Sequence, residues 1–220
     1  MKTCVVIPAY NEEKRISAIL SSLLEADFEV IAVDDGSEDA TFSEIKKFPV
    51  TAARHVLNLG QGAALRAGTE LAIDLGYEII VHADADGQHR PEDIRKVTEA
   101  LELSEFNVII GSRFLEVGQR LPFKKRLILL LAKLFSQKIL KLPFSDPQSG
   151  LRAFRANIYK QLCWQADDFA HCSEILSLIA EKDISFQEIP IIVNYDQDTS
   201  SKLIRPKIRM GWKMMIDKIL

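Results

Sequence analysis

The stretch Ile79-Ile80-Val81-His82-Ala83-Asp84-Ala85-Asp86-Gly87-Gln88 runs from a short apolar segment into two carboxylates and an amide. A continuous apolar run of this length reads as a strand covered on both faces, the kind that builds parallel sheets. The same arrangement occurs twice upstream. Cys4-Val5-Val6-Ile7 leads into Pro8-Ala9-Tyr10-Asn11-Glu12, and Glu29 to Asp34 leads into Asp35-Gly36-Ser37. Strand patterns at Cys4–Pro8, Glu29–Asp34, Ala53–Val56, Glu78–Ala83 and Asn107–Gly111 alternate with helical periodicity near 12–31, 39–48, 61–75 and 91–103. This alternation predicts an α/β domain with a largely parallel sheet flanked by helices. Ligands bind such sheets beyond the carboxyl ends of the strands. The segments Pro8–Glu12, Asp34–Ser37, His55–Gly62 and Asp84–Gln88 are therefore the candidate site. After Gly111 come a basic helix, a Pro/Ser/Asp loop at 143–150, a helix near 171–182, strand-like Ser185–Tyr195 and a second basic helix. No repeat or linker marks a second domain, so residues 1–220 are expected to form one.

Composition narrows the class. The 220 residues are 47% hydrophobic and 27% charged, a globular balance that disfavours intrinsic disorder. Cys4, Cys163 and Cys172 are odd in number and lack CxxC spacing, which argues against a disulfide framework or a structural zinc and for reduced thiols in a cytosol. Strand-like Val5-Val6-Ile7 follows the first four residues, so no signal peptide is expected, and the longest apolar run, Leu127 to Ala132, is too short to span a bilayer.

The net charge of −3 hides a division. Residues 119–142 carry Arg120, Lys124, Lys125, Arg126, Lys133, Lys138 and Lys141 with no acid, and residues 199–220 carry six Lys and Arg against Asp217. The rest of the chain is strongly acidic. Both basic segments interleave their cations with apolar residues, including Trp212, so they suit either an anionic membrane interface or packing on the domain surface. Nucleic acid is disfavoured, because the acidic remainder repels phosphate.

The chemistry is concentrated at the strand ends. A dinucleotide site would carry GxGxxG after the first strand, where this chain has Pro8-Ala9-Tyr10-Asn11-Glu12. Gly60-Gln61-Gly62 lacks the third glycine and reads as a tight turn before a helix. Asp84-Ala85-Asp86 with Gln88 offers hard oxygen ligands for Mg²⁺ or Mn²⁺, and a hard divalent ion implies a phosphate-bearing substrate. The bland reading of the triplet is a solvated acidic turn. Asp34-Asp35 adds a second acidic pair at the same edge, and two such pairs repel unless something positive or hydrogen-bonding lies between them.

Six blocks occur in order: Ile7-Pro8-Ala9-Tyr10-Asn11-Glu12-Glu13; Val33-Asp34-Asp35-Gly36-Ser37 with Asp39 and Thr41; Asn58-Leu59-Gly60-Gln61-Gly62-Ala63-Ala64; Asp84-Ala85-Asp86-Gly87-Gln88-His89; Gly111-Ser112-Arg113-Phe114; and Asp146 to Arg155. Glu188-Ile189-Pro190 and Ser200-Ser201-Lys202 follow. Together they resemble glycosyltransferase family 2, in its dolichyl/polyprenyl-phosphate mannosyltransferase-like and glucosyltransferase-like branch. The resemblance implies a GT-A fold, Rossmann-like with a mostly parallel sheet, and inverting transfer of mannose or glucose from a GDP- or UDP-sugar to a polyprenyl phosphate. It also implies that Pro8, Tyr10 and Glu12 hold base and ribose with Val33 and Asp35, and that Asp84 and the backbone of Ala85 complete the nucleotide contacts. Asp86 and Gln88 would ligate Mg²⁺ or Mn²⁺; Arg113 and Lys202 would contact donor or acceptor phosphates and, with Asp86, form the catalytic set.

By position the basic segments correspond to the family's interface helices. Lys124, Lys125, Arg126, Arg205 and Trp212 are then the expected acceptor and membrane contacts. The resemblance further implies a protein peripheral to the cytoplasmic face of a membrane; the sequence leaves open a membrane-embedded partner subunit. Members of this branch often carry transmembrane helices after the catalytic domain, and this sequence ends at Leu220 in the second basic segment.

A phosphate acceptor, largely dianionic at neutral pH, needs no protein base. A hydroxyl acceptor does, and Glu174 in His171-Cys172-Ser173-Glu174 is the candidate. Transfer to a hydroxyl in polysaccharide or glycoconjugate synthesis is the alternative enzyme reading. A non-catalytic nucleotide-sugar or membrane-binding module and a nucleotidyltransferase are more distant ones.

Overall fold

The computed structural model describes residues 1–115, 144–146 and 149–192. Its strands are β1 (Thr3–Ala9), β2 (Glu29–Asp34), β3 (Thr51–Arg54), β4 (Ile79–His82), β5 (Val108–Ser112), β6 (Arg152–Arg155) and β7 (Phe186–Pro190). Among the described residues they form one sheet in the order β3-β2-β1-β4-β6-β5-β7. The β3-β2-β1-β4 half is parallel throughout, and β5 pairs with β7 in parallel. The largely parallel GT-A-like sheet expected from the sequence is present. The exception is β6, which runs antiparallel between β4 and β5 and sets His82 opposite Arg152. No strand was expected there, because Arg-Ala-Phe-Arg is short and begins and ends on arginine.

Helices cover both faces, which is why β1, β2 and β4 are apolar at successive positions. Val6, Ile31, Val33, Ile80, Val108, Ile110 and Phe154 pack beneath α3 (Gln61–Asp74), α5 (Tyr159–Leu162) and α6 (His171–Glu181). Val5, Ile7, Val30, Ala32, Ile79, Val81, Ile109 and Ala153 face α1 (Ile16–Glu25), α2 (Thr41–Ile45) and α4 (Pro91–Glu102). The two sets alternate along each strand, as a pleated sheet requires. In α1, Ile16, Leu20 and Leu23 follow the spacing of one helix face and are buried. Truncating one of these leucines to alanine leaves a cavity worth about 2–5 kcal/mol. Gly68 lets α3 lie close on the sheet, since a Cβ there would come within 2.4 Å of Val6 Cγ1.

Helix α1 is shorter than its periodicity, because Asp27 takes a positive φ of 60° and turns the chain into β2. Strand β3 begins two residues earlier than expected, and its end leaves His55 to lead the loop into α3. Among the described residues no helix is long and apolar enough to cross a membrane. The basic segments 119–142 and 199–220 lie outside the described residues.

Candidate active site

Parallel pairing puts the carboxyl ends of β1, β2 and β4 side by side, and the loops that follow are tied to one another. Asn11 N–H donates to Ser37 Oγ at 2.9 Å, Glu12 N–H to Thr41 Oγ1 at 2.8 Å, and Glu38 N–H to Asn11 Oδ1 at 3.0 Å. Asn11 has φ of 53°, a left-handed conformation that asparagine tolerates.

Asp34 and Asp35 lie behind this seam, 0% and 2% exposed. Asp34 accepts Ser37 N–H at 3.1 Å and pairs with Arg54 Nε at 2.9 Å. Asp35 Oδ1 meets His55 Nδ1 at 2.7 Å and Leu59 N–H at 3.0 Å; its Oδ2 accepts Asn58 Nδ2 at 3.0 Å and Gly60 N–H at 2.8 Å. A carboxylate offers about four lone-pair sites, and all four of Asp35 are used. In this conformation it fastens the His55–Gly60 loop, and a ribose or base contact would have to displace one of those donors. The repulsion between the acidic pairs foreseen from the sequence is answered at this pair by Arg54, which the sequence did not single out, and by His55, which opens one of the candidate segments.

The second pair is built differently. Asp84 and Asp86 are partly exposed. Gln61 Nε2, in the first turn of α3, donates to Asp84 Oδ1 at 2.6 Å, and His89 Nε2 lies 3.6 Å from Asp84 Oδ2. Gly150 abuts the same carboxylate: a Cβ there would stand 2.4 Å from Asp84 Oδ2. Asp86 accepts the backbone N–H of Gln88 at 3.0 Å and its Nε2 at 2.5 Å, so these two side chains meet. Gly87 makes the tight turn between them, with φ of 76°.

Asp86 and Gln88 carry hard oxygen donors of the kind Mg²⁺ and Mn²⁺ take, and the Gln88 amide, which here turns its Nε2 to Asp86, would present its oxygen to such an ion after a flip. Among the described residues no group of three or more His, Cys, Asp or Glu is arranged to hold a metal by itself. An ion with one or two protein carboxylates completes its shell with water and substrate phosphate, so the donor set suits an ion that is shared with a diphosphate.

Gly60, at the N-cap of α3, has φ of 108°, and added Cβ atoms at Gly60 and Gly62 would strike the Asp167 and Ala166 carbonyls. The tight turn expected here is present, and its glycines also let the 164–168 segment close on the helix start. Trp164 Nε1 donates to the Gly62 carbonyl at 2.9 Å and Ala63 N–H to the Asp167 carbonyl at 3.1 Å.

At the end of β5, Arg113 makes a two-pronged bond to Asp146, with Nε to Oδ2 and Nη2 to Oδ1 both at 2.6 Å. Asp146 is fully buried. Glu188 on β7 accepts Ser145 N–H and Oγ–H, both at 2.9 Å, and Ser112 Oγ lies 2.6 Å from Ser145 Oγ. The Phe144–Asp146 segment is thus locked, and Arg113 is presented in a fixed orientation.

The remaining expected residues fall unevenly. Tyr10 is 43% exposed, and Glu12 pairs with Arg15 at 3.0 Å. Pro8 is buried on β1. Val33 is fully buried on β2, within reach of a Cβ on Gly68, and directly precedes Asp34 and Asp35. Ala85 is 6% exposed. Glu174 accepts the N–H groups of Gln165 at 2.8 Å and Ala166 at 2.7 Å, a structural clamp that does not favour it as a base. Lys124, Lys125, Arg126, Lys202, Arg205 and Trp212 lie outside the described residues.

The doubly covered, mostly parallel α/β sheet with carboxylates on the loops beyond its strands is a GT-A-like fold. The profile described as Glycosyl transferase family 2 matches residues 4–163, and the chain belongs to that family. It is 32% identical over 232 residues to a UDP-N-acetylglucosamine–dolichyl-phosphate N-acetylglucosaminyltransferase of Methanococcus voltae, covering 96% of this chain and 92% of that protein. It is 30% identical over 243 residues to a dolichol-phosphate mannosyltransferase of Pyrococcus furiosus, covering 100% of this chain and 67% of that protein. In fold it matches glucosyl-3-phosphoglycerate synthase from Mycobacterium tuberculosis, solved with Mn²⁺, uridine diphosphate and glucosyl-3-phosphoglycerate. That match has a TM-score of 0.73 at 18% identity over 96% of this chain and 75% of that one.

Proposed function

We propose that this family 2 enzyme is a hexosyltransferase that moves a sugar, with inversion, from a GDP- or UDP-linked donor to a polyprenyl or dolichyl phosphate. The observation that carries the reading is the half-open Asp84–Gln88 corner, braced by Gln61 and Gly150 at the end of a parallel strand. The named relatives add the acceptor class, and the Methanococcus voltae relative widens the sugar from mannose or glucose to an N-acetylated hexose.

Tyr10 and Glu12 flank the base and ribose, and Asp35 holds the wall of the cleft through the His55–Gly60 loop. Asp86 and Gln88 would hold Mg²⁺ or Mn²⁺, which when bound neutralises the departing nucleoside diphosphate. Asp84 stays oriented by Gln61 and keeps the corner negative. Arg113, aligned by Asp146, faces the phosphates as a fixed cation, and Lys202 supplies another. The attacking oxygen belongs to the lipid phosphate, already ionised at neutral pH, so the protein orients it and abstracts no proton. The tied-up carboxylate of Glu174 agrees with a site that has no general base there.

A lipid acceptor places the reaction at a membrane surface, on the cytoplasmic side if the donor is cytosolic, with or without a membrane-embedded partner. Lys124, Lys125, Arg126, Arg205 and Trp212 would then meet anionic lipid. Changing Lys124, Lys125 and Arg126 to glutamine should weaken sedimentation with anionic liposomes and flatten its salt dependence; unchanged sedimentation would remove the membrane role. The deciding assay incubates the protein with labelled nucleotide sugar, Mn²⁺ and short-chain polyprenyl phosphate. Label should pass to the lipid phosphate, and transfer to sugar hydroxyls alone would reject the reading.

A further inference from the structure

Beside the Asp84 corner lies a polar cluster for which the proposed reaction has no use. Arg152, the first residue of β6, is 2% exposed. Its Nη2 donates to the Ser149 carbonyl at 2.9 Å and lies 3.4 Å from Cys172 Sγ. Its Nη1 is buried with no hydrogen-bond partner among the described residues. His171, at the start of α6, is 1% exposed; its Nδ1 is 2.7 Å from the Asp168 carbonyl and its Nε2 is 3.4 Å from the same sulfur. A carbonyl opposite Nδ1 requires the proton there. One further proton is therefore shared between Nε2 and the thiol, and the guanidinium donor on the sulfur favours giving it to the imidazole.

The surrounding charges agree. Burial pushes the Cys172 thiol up, but the neighbouring His171 and Arg152 outweigh it and bring it down to about 6, against a small opposing push from Asp84. Burial pulls His171 down, yet the Cys172 sulfur lifts it overall, with Arg152 opposing. His82, opposite Arg152 on β4, is held neutral by its own burial and by the Arg152 and His171 charges. The first turn of α6 adds a favourable helix end. Cys4 is the contrast: burial in β1 raises it to about 12.

We propose that Cys172 is a nucleophilic modification site that takes an oxygen from a hydroperoxide, with Arg152 and His171 as its activating groups. The sulfur attacks one peroxide oxygen, so an S–O bond forms as the O–O bond breaks and sulfur gives up two electrons to become a sulfenic acid. The other oxygen leaves as hydroxide or alkoxide and takes the proton from His171. The unpartnered Arg152 Nη1–H is the donor available to that leaving oxygen. Cys172 is intermediate in exposure, against the buried Arg152 and His171 beside it.

The modification reaches the donor corner through two residues. Arg152 holds the Ser149 carbonyl, and Gly150 abuts Asp84. An oxygen on Sγ competes for the Arg152 donors and loosens that backing. This consequence rests on the proposed glycosyl transfer, whereas the reactivity of Cys172 does not.

The test labels the full chain with iodoacetamide from pH 5 to 9 and follows each cysteine by mass spectrometry, without donor or metal. Cys172 labelling should reach half its plateau near pH 6, and His171→Gln should move that midpoint up by one unit or more. The midpoint is the readout, because a thiolate of low basicity is also a weaker nucleophile, so bare rates separate thiols poorly. If the variant does not fold, the wild-type profile decides alone. A Cys172 profile that rises only through the ordinary thiol range near about 8.5, or no labelling of Cys172 in the native chain, overturns the proposal. With hydrogen peroxide, a sulfenic-acid trap should mark Cys172 and be lost in Cys172→Ser; no trapped adduct also overturns it. In a preparation that turns over donor, peroxide should lower turnover and dithiothreitol restore it, and full oxidation without effect would overturn the link to Asp84.

Discussion

Two acidic pairs stand at the same edge of the sheet and have opposite fates. Asp34 and Asp35 are buried and answered by Arg54, His55, Asn58 and three backbone N–H groups. Asp84 and Asp86 are partly exposed, braced by Gln61 and Gln88 on a turn that opens outward. The difference teaches that a carboxylate pair is neither structural nor functional by its sequence. What separates these two pairs is burial: one is enclosed by the loops that follow β1 and β3, and the other stays half-exposed on its turn. The buried pair shapes the cleft, and the half-exposed pair is the one to which the proposed function assigns an ion and a diphosphate.

Substitutions at the two pairs should therefore separate activity from stability. The largest effect is expected from Asp86→Ala, which should cut Mn²⁺-dependent transfer by about a thousandfold or more, since an ion on a leaving phosphate contributes several kcal/mol. Its urea midpoint should stay near wild type. Asp35→Ala should show the reverse pattern, a loss of about 3 kcal/mol in urea unfolding, because four donors lose their acceptor at once. If the two variants lost stability equally, the contrast would be broken.

Gly150→Ala should lower transfer about tenfold to a hundredfold with stability changed by about 1–3 kcal/mol, because the added methyl pushes directly on Asp84. Steady-state kinetics beside thermal melting checks this, and an unaffected rate would detach Gly150 from the site. The smallest effect is expected from Arg54→Gln. Its side chain is 45% exposed, so removing its charge from Asp34 should cost about 1 kcal/mol in denaturant unfolding and leave transfer within about twofold.

Much of this contrast was legible in the sequence, and the remainder fails for identifiable reasons. Val5-Val6-Ile7 and Ile79-Ile80-Val81 announce buried parallel strands, and Asp84-Ala85-Asp86 with Gln88 announces an acidic turn at a strand end. What periodicity does not carry is which distant donor reaches which acid. His55 meets Asp35 only because β3 stops at Arg54, and Gly150 meets Asp84 only because β6 returns antiparallel beside β4. That strand was itself missed, since Arg152 reads as surface until its guanidinium is seen to serve Ser149 and Cys172. Val33 shows what a motif leaves out: alternation along β2 turns its side chain into the core beneath α3.

The central claim, that the half-exposed acidic pair and not the buried one binds donor through a divalent ion, is tested most directly by melting the protein with nucleoside diphosphate, GDP and UDP in turn, with and without Mn²⁺. A ligand bound to the native state raises its stability. One of the two nucleotides should raise the melting temperature of the wild type only when Mn²⁺ is present, and Asp86→Ala should lose that rise while melting normally alone. An equal rise without the ion, or one retained in Asp86→Ala, would contradict the account.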